Sequence, residues 1–310
     1  MKTHPKVAIV VVSHNTKGLL LTCINSVIES TQPDDVEIVV VDNASRDGSY
    51  EAVLRDHPQV VAISNEVNVG FAAACNQGIR ATSAPLILLL NSDAQLTSQA
   101  FHALCDCMLV DRCGAAGCKL VNADGVEVVS VRNFLTPFNQ ALEMAGITNR
   151  FRLRQLSRTY RPALSQKSPD CSVDWVEGSC LILRRAALDE MGLFDERFFM
   201  YSEDEDLCLR LRLAGWSVCY SAAGAAVHVG GASTAQNRVE MLRHFYSSQL
   251  YFLSKHGGLT RVLLYVASMR LVLTVKRFLL KMLSRNRDAK EAAERLFALR
   301  RAWSSRKDRG

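Results

Sequence analysis

Four consecutive carboxylates, Glu203, Asp204, Glu205 and Asp206, follow "FFMYS" and lead into "LCLRL". Like charges this close repel and raise one another's pKa, so the cluster costs stability unless something uses it. A helix start, a metal site and a catalytic base are the candidate uses. Ser202 and Glu205 have the S-x-x-E spacing of a capping box ahead of Leu207, Leu209 and Leu211. Acids in a first turn also suit the positive end of the helix dipole. That explains Glu203 and Glu205 without chemistry. Asp204 and Asp206 are left over. Two residues apart, they lie on different helical faces, and only one can easily point into a cleft. Repulsion raises that residue's pKa and the helix start lowers it.

A second set of polar residues ends three apolar runs: His14-Asn15, Asp42-Asn43 and Asn91-Ser92-Asp93. No G-x-G-x-x-G follows the first run, and no G-x-x-x-x-G-K-[ST] occurs anywhere, so a nucleotide must be held by side chains. Asp42 can accept from a base N–H, and Asn15 can pair with base or ribose. A carboxylate beside a diphosphate needs a cation between them, so Asp93 implies Mg²⁺ or Mn²⁺. Plainer readings stand beside these. Asp42 can close an Asx-turn onto "NAS", and Asp93 can cap the helix beginning near Thr97. Cys105, Cys107, Cys113 and Cys118 match no common zinc spacing and read as buried small apolar residues.

The elements that must position these residues alternate. "KVAIVVVSHN", "VEIVVVDNAS", "VVAISN" and "APLILLLNSD" read as strands. Helical patterns follow each, the first with Leu20, Cys23, Ile24, Val27 and Ile28 on one stripe. Continuous apolar strands alternating with helices imply a mostly parallel central sheet covered by helices, an α/β fold. Ligands gather at the carboxyl ends of such strands. Residues 132–172 are basic and Pro-punctuated and read as a long excursion from the sheet, of the kind that forms lids or binding loops. Patterning resumes at "CSVDWVEGSCLILRRAALDEMG", a strand and a short helix.

The chain has 310 residues, 48% of them apolar, enough for a large domain of 1–257 and a tail of 258–310. Its N-terminus lacks a signal-peptide pattern, and its ten scattered cysteines suit a reducing cytoplasm with mostly free thiols. The tail holds 14 Lys+Arg and 4 Asp+Glu, net +10, against +6 for the whole chain. Such a tail wants phosphates. Arg270, Lys276, Arg277 and Lys281 interrupt its apolar part. Each would cost about 2.5–3.5 kcal/mol at a bilayer centre, so the tail reads as a helix lying in an anionic membrane interface. The other reading packs it on the body, with the cations snorkelling outward. Few aromatics separate its charges, so nucleic acid is not expected as a partner.

Seven motifs occur in order over residues 7 to about 256: "VVVSHN", "VVVDNASRDGS", "NVGFAAACNQG", "LLLNSDA", "VEGSCLILRR", "FDERFFMYSEDEDLCLRL" and "VHVGGAS". With them the chain resembles the family 2 glycosyltransferases of the GT-A fold, notably the rhamnosyltransferase-like branch. The resemblance implies a metal-dependent, inverting hexosyltransferase. It implies that Ser13, Asn15, Asp42, Asn68, Gly70 and Asn76 meet the nucleotide and that Asp93 and His228 hold the metal. Gly178 and Ser179, with Ser92, Trp175 and Glu203, would line the donor and acceptor pocket, and the excursion of 132–172 would lie on the acceptor side. Asp204 would be the base, with Asp206 in reserve. Here the metal motif reads Asn-Ser-Asp, with one carboxylate instead of two. Asn68 and Asn76 also read as turn and cap residues, His228 as a core histidine, and Trp175 as core.

The expected activity is transfer of a sugar, L-rhamnose from dTDP-rhamnose by lean and a UDP-sugar otherwise. The acceptor is a hydroxyl of a lipid-linked or cell-envelope glycan at the inner face of the cytoplasmic membrane. A catalytically silent scaffold would show decay of the base or metal motif, and both are intact. A sugar nucleotidyltransferase would need a Gly- and basic-rich loop where "SHNTKG" stands.

Overall fold

A computed structural model describes residues 6–146, 171, 173–230 and 238–307. They divide into two units. The first spans residues up to 132, 161–199 and 203–233, and the second takes 133–160, 200–202 and everything from 234. The division expected at 257/258 lies within the second unit, at the Gly258 break between two helical segments.

The first unit is built on a nine-stranded sheet. Strands β1 (Val7–Ser13), β2 (Val36–Asp42), β3 (Val61–Ser64) and β4 (Leu86–Asn91) are parallel, in the order β3-β2-β1-β4. The runs of β1 and β4, and of β2 after Glu37, are apolar up to their polar last residues because helices cover the sheet, whereas β3 at the edge is only partly buried. Ile9, Val40, Leu88 and Leu90 lie in one buried cluster with Leu20, Ile24 and Val27 of helix α1 (Lys17–Ser30). Full burial of each such side chain stabilises by about 1.5–3 kcal/mol. Ile28, expected on the same stripe, stays 40% exposed. Register aligns Ser13 with Asp42, Asp42 with Ser64, and Val12 with Asn91, so these strand ends share one rim.

Helices α2 (Ser49–Asp56), α3 (Phe71–Arg80) and α4 (Ser98–Cys107) follow β2, β3 and the short β5 (Ala94–Gln95). Beyond β4 the order continues β10 (Cys180–Arg184), β6 (Cys113–Val121), β11 (Ser217–His228) and β5, with β7 (Glu127–Val128) on β6. β10 runs antiparallel to both neighbours. β8 (Val131–Arg132) and β9 (Trp175–Val176) form a separate small sheet, so the expected strand near residue 175 is two strands, β9 and β10. Helices α6 (Arg185–Met191) and α7 (Glu203–Leu213) complete this unit. Cys107, Cys113 and Cys118 are buried and unbonded, as small apolar residues would be. Cys171 and Cys219 form a disulfide; the other eight cysteines are free.

The second unit holds α5 (Pro137–Ala145), α8 (Arg238–Met282) and α9 (Asn286–Lys307). Thr136 and Asn139 cap α5 reciprocally. α8 breaks at Gly258, where φ is 70°. After the break, Val262, Tyr265, Met269 and Leu273 are buried, and Lys276 donates to the Met144 carbonyl at 3.0 Å. The tail is thus packed along one face only.

Candidate active site

The rim is held by hydroxyls and amides. Ser13 Oγ lies 2.9 Å from Thr16 Oγ1, which lies 2.9 Å from Ser92 Oγ. All three residues are buried, so Ser13 joins the ends of β1 and β4 rather than facing a ligand. Asn15 has a left-handed φ of 54°. Its N–H donates to Ser45 Oγ at 2.9 Å and its Oδ1 accepts from the Arg46 N–H at 2.7 Å, tying the β1 loop to the β2 loop. Both carboxylate oxygens of Asp42 accept from the Ser45 N–H, at 3.1 and 3.2 Å. The turn reading of Asp42 is therefore realised, and the residue is only 2% exposed.

The sequence places Asn43 at the end of β2 without assigning it a role, and it is the hub of this rim. Asn43 Oδ1 accepts from the Val69 N–H at 3.0 Å, and its amide donates to Asn68 Oδ1 at 2.9 Å and to the Gly70 carbonyl at 3.2 Å. Asn68 Oδ1 also accepts from the Gly70 N–H at 3.0 Å, the turn role weighed above. Gly70 begins α3 at φ 88°, where a Cβ would lie 2.5 Å from the Phe199 carbonyl oxygen. Asn76 turns away from the rim. Its amide donates to the Phe194 carbonyl and to Glu196, and its Oδ1 accepts from the Phe194 N–H. Both ends are used and the residue is 1% exposed, so its place is structural, against the nucleotide contact expected.

Asp93 caps nothing. Thr97 accepts from the Ala100 N–H and caps α4 instead. β5 pairs antiparallel with β11, with Ala94 opposite His228. This brings Asp93 Oδ1 to 3.2 Å from His228 Nε2. The hydrogen bond to Asp93 and its charge hold the His228 pKa above the usual imidazole value, against the opposing effect of burial.

The acidic cluster resolves into four roles. Asp206 is fully buried and takes Arg210 Nε at 2.8 Å, while Arg210 also donates to the Met191, Gly192 and Leu193 carbonyls. The reserve base is therefore the anchor of a structural ion pair. Glu205 is fully buried within α7. Glu203 is buried with Oε2 unpartnered, and burial, then the Asp204 charge, raises its pKa well above the ordinary carboxylate value. Asp204 keeps some solvent contact. Its Oδ2 accepts from the Gly178 N–H at 2.9 Å and its Oδ1 from the Glu205 N–H at 2.8 Å. Burial pushes its pKa up to about 7, although those two N–H groups oppose the shift. Glu177, paired with Arg132 at 2.7 Å, raises both Asp204 and His228 by its charge. Its charge acts on both groups, a role that was not anticipated.

Gly178 and Ser179 connect the parts. The Ser179 carbonyl accepts from the Asn91 N–H at 3.0 Å, and Ser179 Oγ is buried without a partner. A Cβ on Gly178 would meet Asp204 at 3.6 Å and Phe71 at 3.8 Å. Trp175 is 5% exposed, in β9, and belongs to the core. One rim therefore gathers Ser92, the Asp93–His228 pair, Gly178, Ser179, Glu203 and Asp204, through the β4–β10 pairing and the turn before β10.

Residues 8–192 match the model of "Glycosyl transferase family 2". The N-acetylglucosaminyl-diphospho-decaprenol L-rhamnosyltransferase of Mycobacterium tuberculosis is 28% identical over 244 residues, covering 72% of this chain and 76% of that protein. The rhamnosyltransferase WbbL of Escherichia coli is 46% identical over 59 residues, 19% of this chain and 22% of that protein. The O-antigen biosynthesis protein RfbC of Myxococcus xanthus is 26% identical, covering 80% of this chain but 19% of its own length. Among solved structures, the mannosyltransferase PcManGT of Pyrobaculum calidifontis, in complex with GDP-Man and Mn²⁺, superposes with a TM-score of 0.59 at 16% identity, over 96% of this chain and 86% of that one. The fold is that of the GT-A glycosyltransferases. The chain belongs to glycosyl transferase family 2 and is similar to its rhamnosyltransferases.

Proposed function

We propose that this chain transfers a sugar, with inversion, from a nucleotide-diphosphate sugar to a hydroxyl of a lipid-linked or cell-envelope glycan at the inner face of the cytoplasmic membrane. The observation that carries the reading is Asp204: a carboxylate with a pKa near 7, fixed by the Gly178 N–H on the same rim as the Asp93–His228 pair. A general base works best with a pKa near the working pH. Asp204 takes the proton of the acceptor hydroxyl as its oxygen bonds to the anomeric carbon. The bond from that carbon to the diphosphate breaks, and the nucleoside diphosphate leaves with the electron pair. Glu203, buried beside Asp204 with Oε2 unpartnered, has its carboxyl pKa raised by burial and then by the Asp204 charge.

A carboxylate oxygen and an imidazole nitrogen 3.2 Å apart suit a divalent cation completed by phosphate oxygens. Mg²⁺ or Mn²⁺ held by Asp93 and His228 would supply Lewis-acid stabilisation to the diphosphate leaving group. Each carboxylate oxygen of Asp42 and the Oδ1 of Asn15 has a second lone pair beyond its backbone N–H bond, and in our reading these accept from the base and the ribose. The donor is dTDP-L-rhamnose in our reading, supported by the similarity to two named rhamnosyltransferases, and a UDP-sugar is the second candidate.

A thermal-shift screen of dTDP-, UDP- and GDP-sugars, with and without Mn²⁺, tests this reading. A dTDP-sugar should raise the melting temperature most, and only with the cation. At 100 times its Kd a ligand adds about 2.7 kcal/mol. No shift with any nucleotide sugar would overturn the enzyme reading.

A further inference from the structure

We infer that the outer face of the second half of α8 lies in the plane of an anionic lipid bilayer, its apolar residues at the acyl boundary and Arg270, Arg277 and Lys281 at the phosphates. The inference deepens the lipid-linked acceptor reading and rests on it only for its biological sense. Leu264, Leu271, Phe278 and Met282 are 58%, 66%, 63% and 68% exposed. With Leu263 and Val275 they fall within about a third of the helix circumference at 100° per residue. Val262, Tyr265, Met269, Leu273 and Leu280 fill another sector and are buried. Packing therefore satisfies one apolar face and leaves a second. Soluble surfaces rarely keep a continuous apolar patch without using it.

Charge identifies the occupant. Arg270, Arg277 and Lys281 form a narrow row along the boundary between the two faces, and all three are exposed. A second copy in a two-fold contact would bring each row against the same patch on its mate. Anionic headgroups complement the row instead. Among the described residues α8 is the one helix long and apolar enough to cross a membrane. Crossing would, however, put Arg270 and the buried Tyr265–Gln249 hydrogen bond in hydrocarbon.

The test is flotation of the full chain with vesicles of phosphatidylcholine plus phosphatidylglycerol, or of phosphatidylcholine alone. The chain should float with the anionic vesicles and be released by high salt. The triple variant R270Q/R277Q/K281Q should lower the partition coefficient on the order of a hundredfold. L264S/L271S/F278S should abolish flotation, and both variants should melt as the parent does because the changed side chains are exposed. Equal binding to both vesicles, no binding, or normal flotation of the serine variant would overturn the inference. A dimer dissociated by the serine changes would overturn it, as would resistance to alkaline carbonate extraction from cells. Asp204→Asn must float like the parent. Loss of flotation therefore leaves the transferase reading standing, and loss of transfer leaves the membrane reading standing.

Discussion

Replacing Asp204 with Asn should move activity and stability in opposite directions. The carboxyl titrates near 7 in the folded chain, against 3.8 for an unperturbed aspartate. As a base it works only when ionised, so the parent's kcat/KM should fall about tenfold from pH 7 to pH 5.8 and plateau above pH 8. A carboxyl whose folded pKa is raised favours the folded state fully below the unfolded pKa, and that advantage is lost as pH rises through 7. A difference of this size corresponds to about 4 kcal/mol of cost at pH 8. The amide of Asp204→Asn removes that cost but offers one acceptor oxygen where the carboxylate offers two, leaving either the Gly178 or the Glu205 N–H without an acceptor, a loss of about 1–3 kcal/mol. The variant should therefore be about 1–3 kcal/mol more stable than the parent at pH 8 and no more stable than it at pH 4. Transfer should drop at least about a thousandfold while nucleotide-sugar affinity stays within about threefold. Urea melts at the two pH values, with steady-state transfer and binding assays, measure all four quantities. Turnover retained by the variant, or lower stability at pH 8, would refute the assignment and its electrostatic cause.

Asp206→Asn should instead destabilise by about 2–4 kcal/mol, because it strands Arg210 beside a buried amide. If urea melts and transfer assays found Asp206→Asn normally folded but inactive, Asp206 would return to the chemistry. Gly70→Ala should cost about 3 kcal/mol or more in denaturant melts, combining a φ of 88° with a Cβ 2.5 Å from the Phe199 carbonyl oxygen. His228→Ala should reduce Mn²⁺-dependent nucleotide-sugar binding by about tenfold or more, read by titration calorimetry with and without chelator. Unchanged metal dependence would remove His228 from the cation site.

The parallel half of the sheet was legible because β1, β4 and the part of β2 after Glu37 are unbroken apolar runs, each ending in a polar residue, and register then fixes which ends meet. β6 was missed for a physical reason. "CGAAGCKLV" has little β propensity, and its small residues answer crowding instead: a Cβ on Gly117 would lie 2.9 Å from Val176. Motif order pointed to Asn76, but no local pattern tells that its amide faces Phe194, more than a hundred positions away. Asn43 and Glu177 act through partners equally remote in sequence. The reading of the tail as either packed or membrane-bound posed a choice that α8 does not make, since its second half has a covered face and a bare one.

The three hydroxyls of Ser13, Thr16 and Ser92 form an open chain with one proton each. Such a chain has two polarities. With the protons aimed inward, Ser92 offers a lone pair to whatever lies beyond it; with all three rotated, it offers a proton. No heavy atom moves between the two. Burial separates the two: Ser13 is fully buried with Thr16 as the partner of its hydroxyl, so the inward polarity strands the Ser13 proton and the outward one, in which Ser92 offers its proton beyond the end of β4, is favoured.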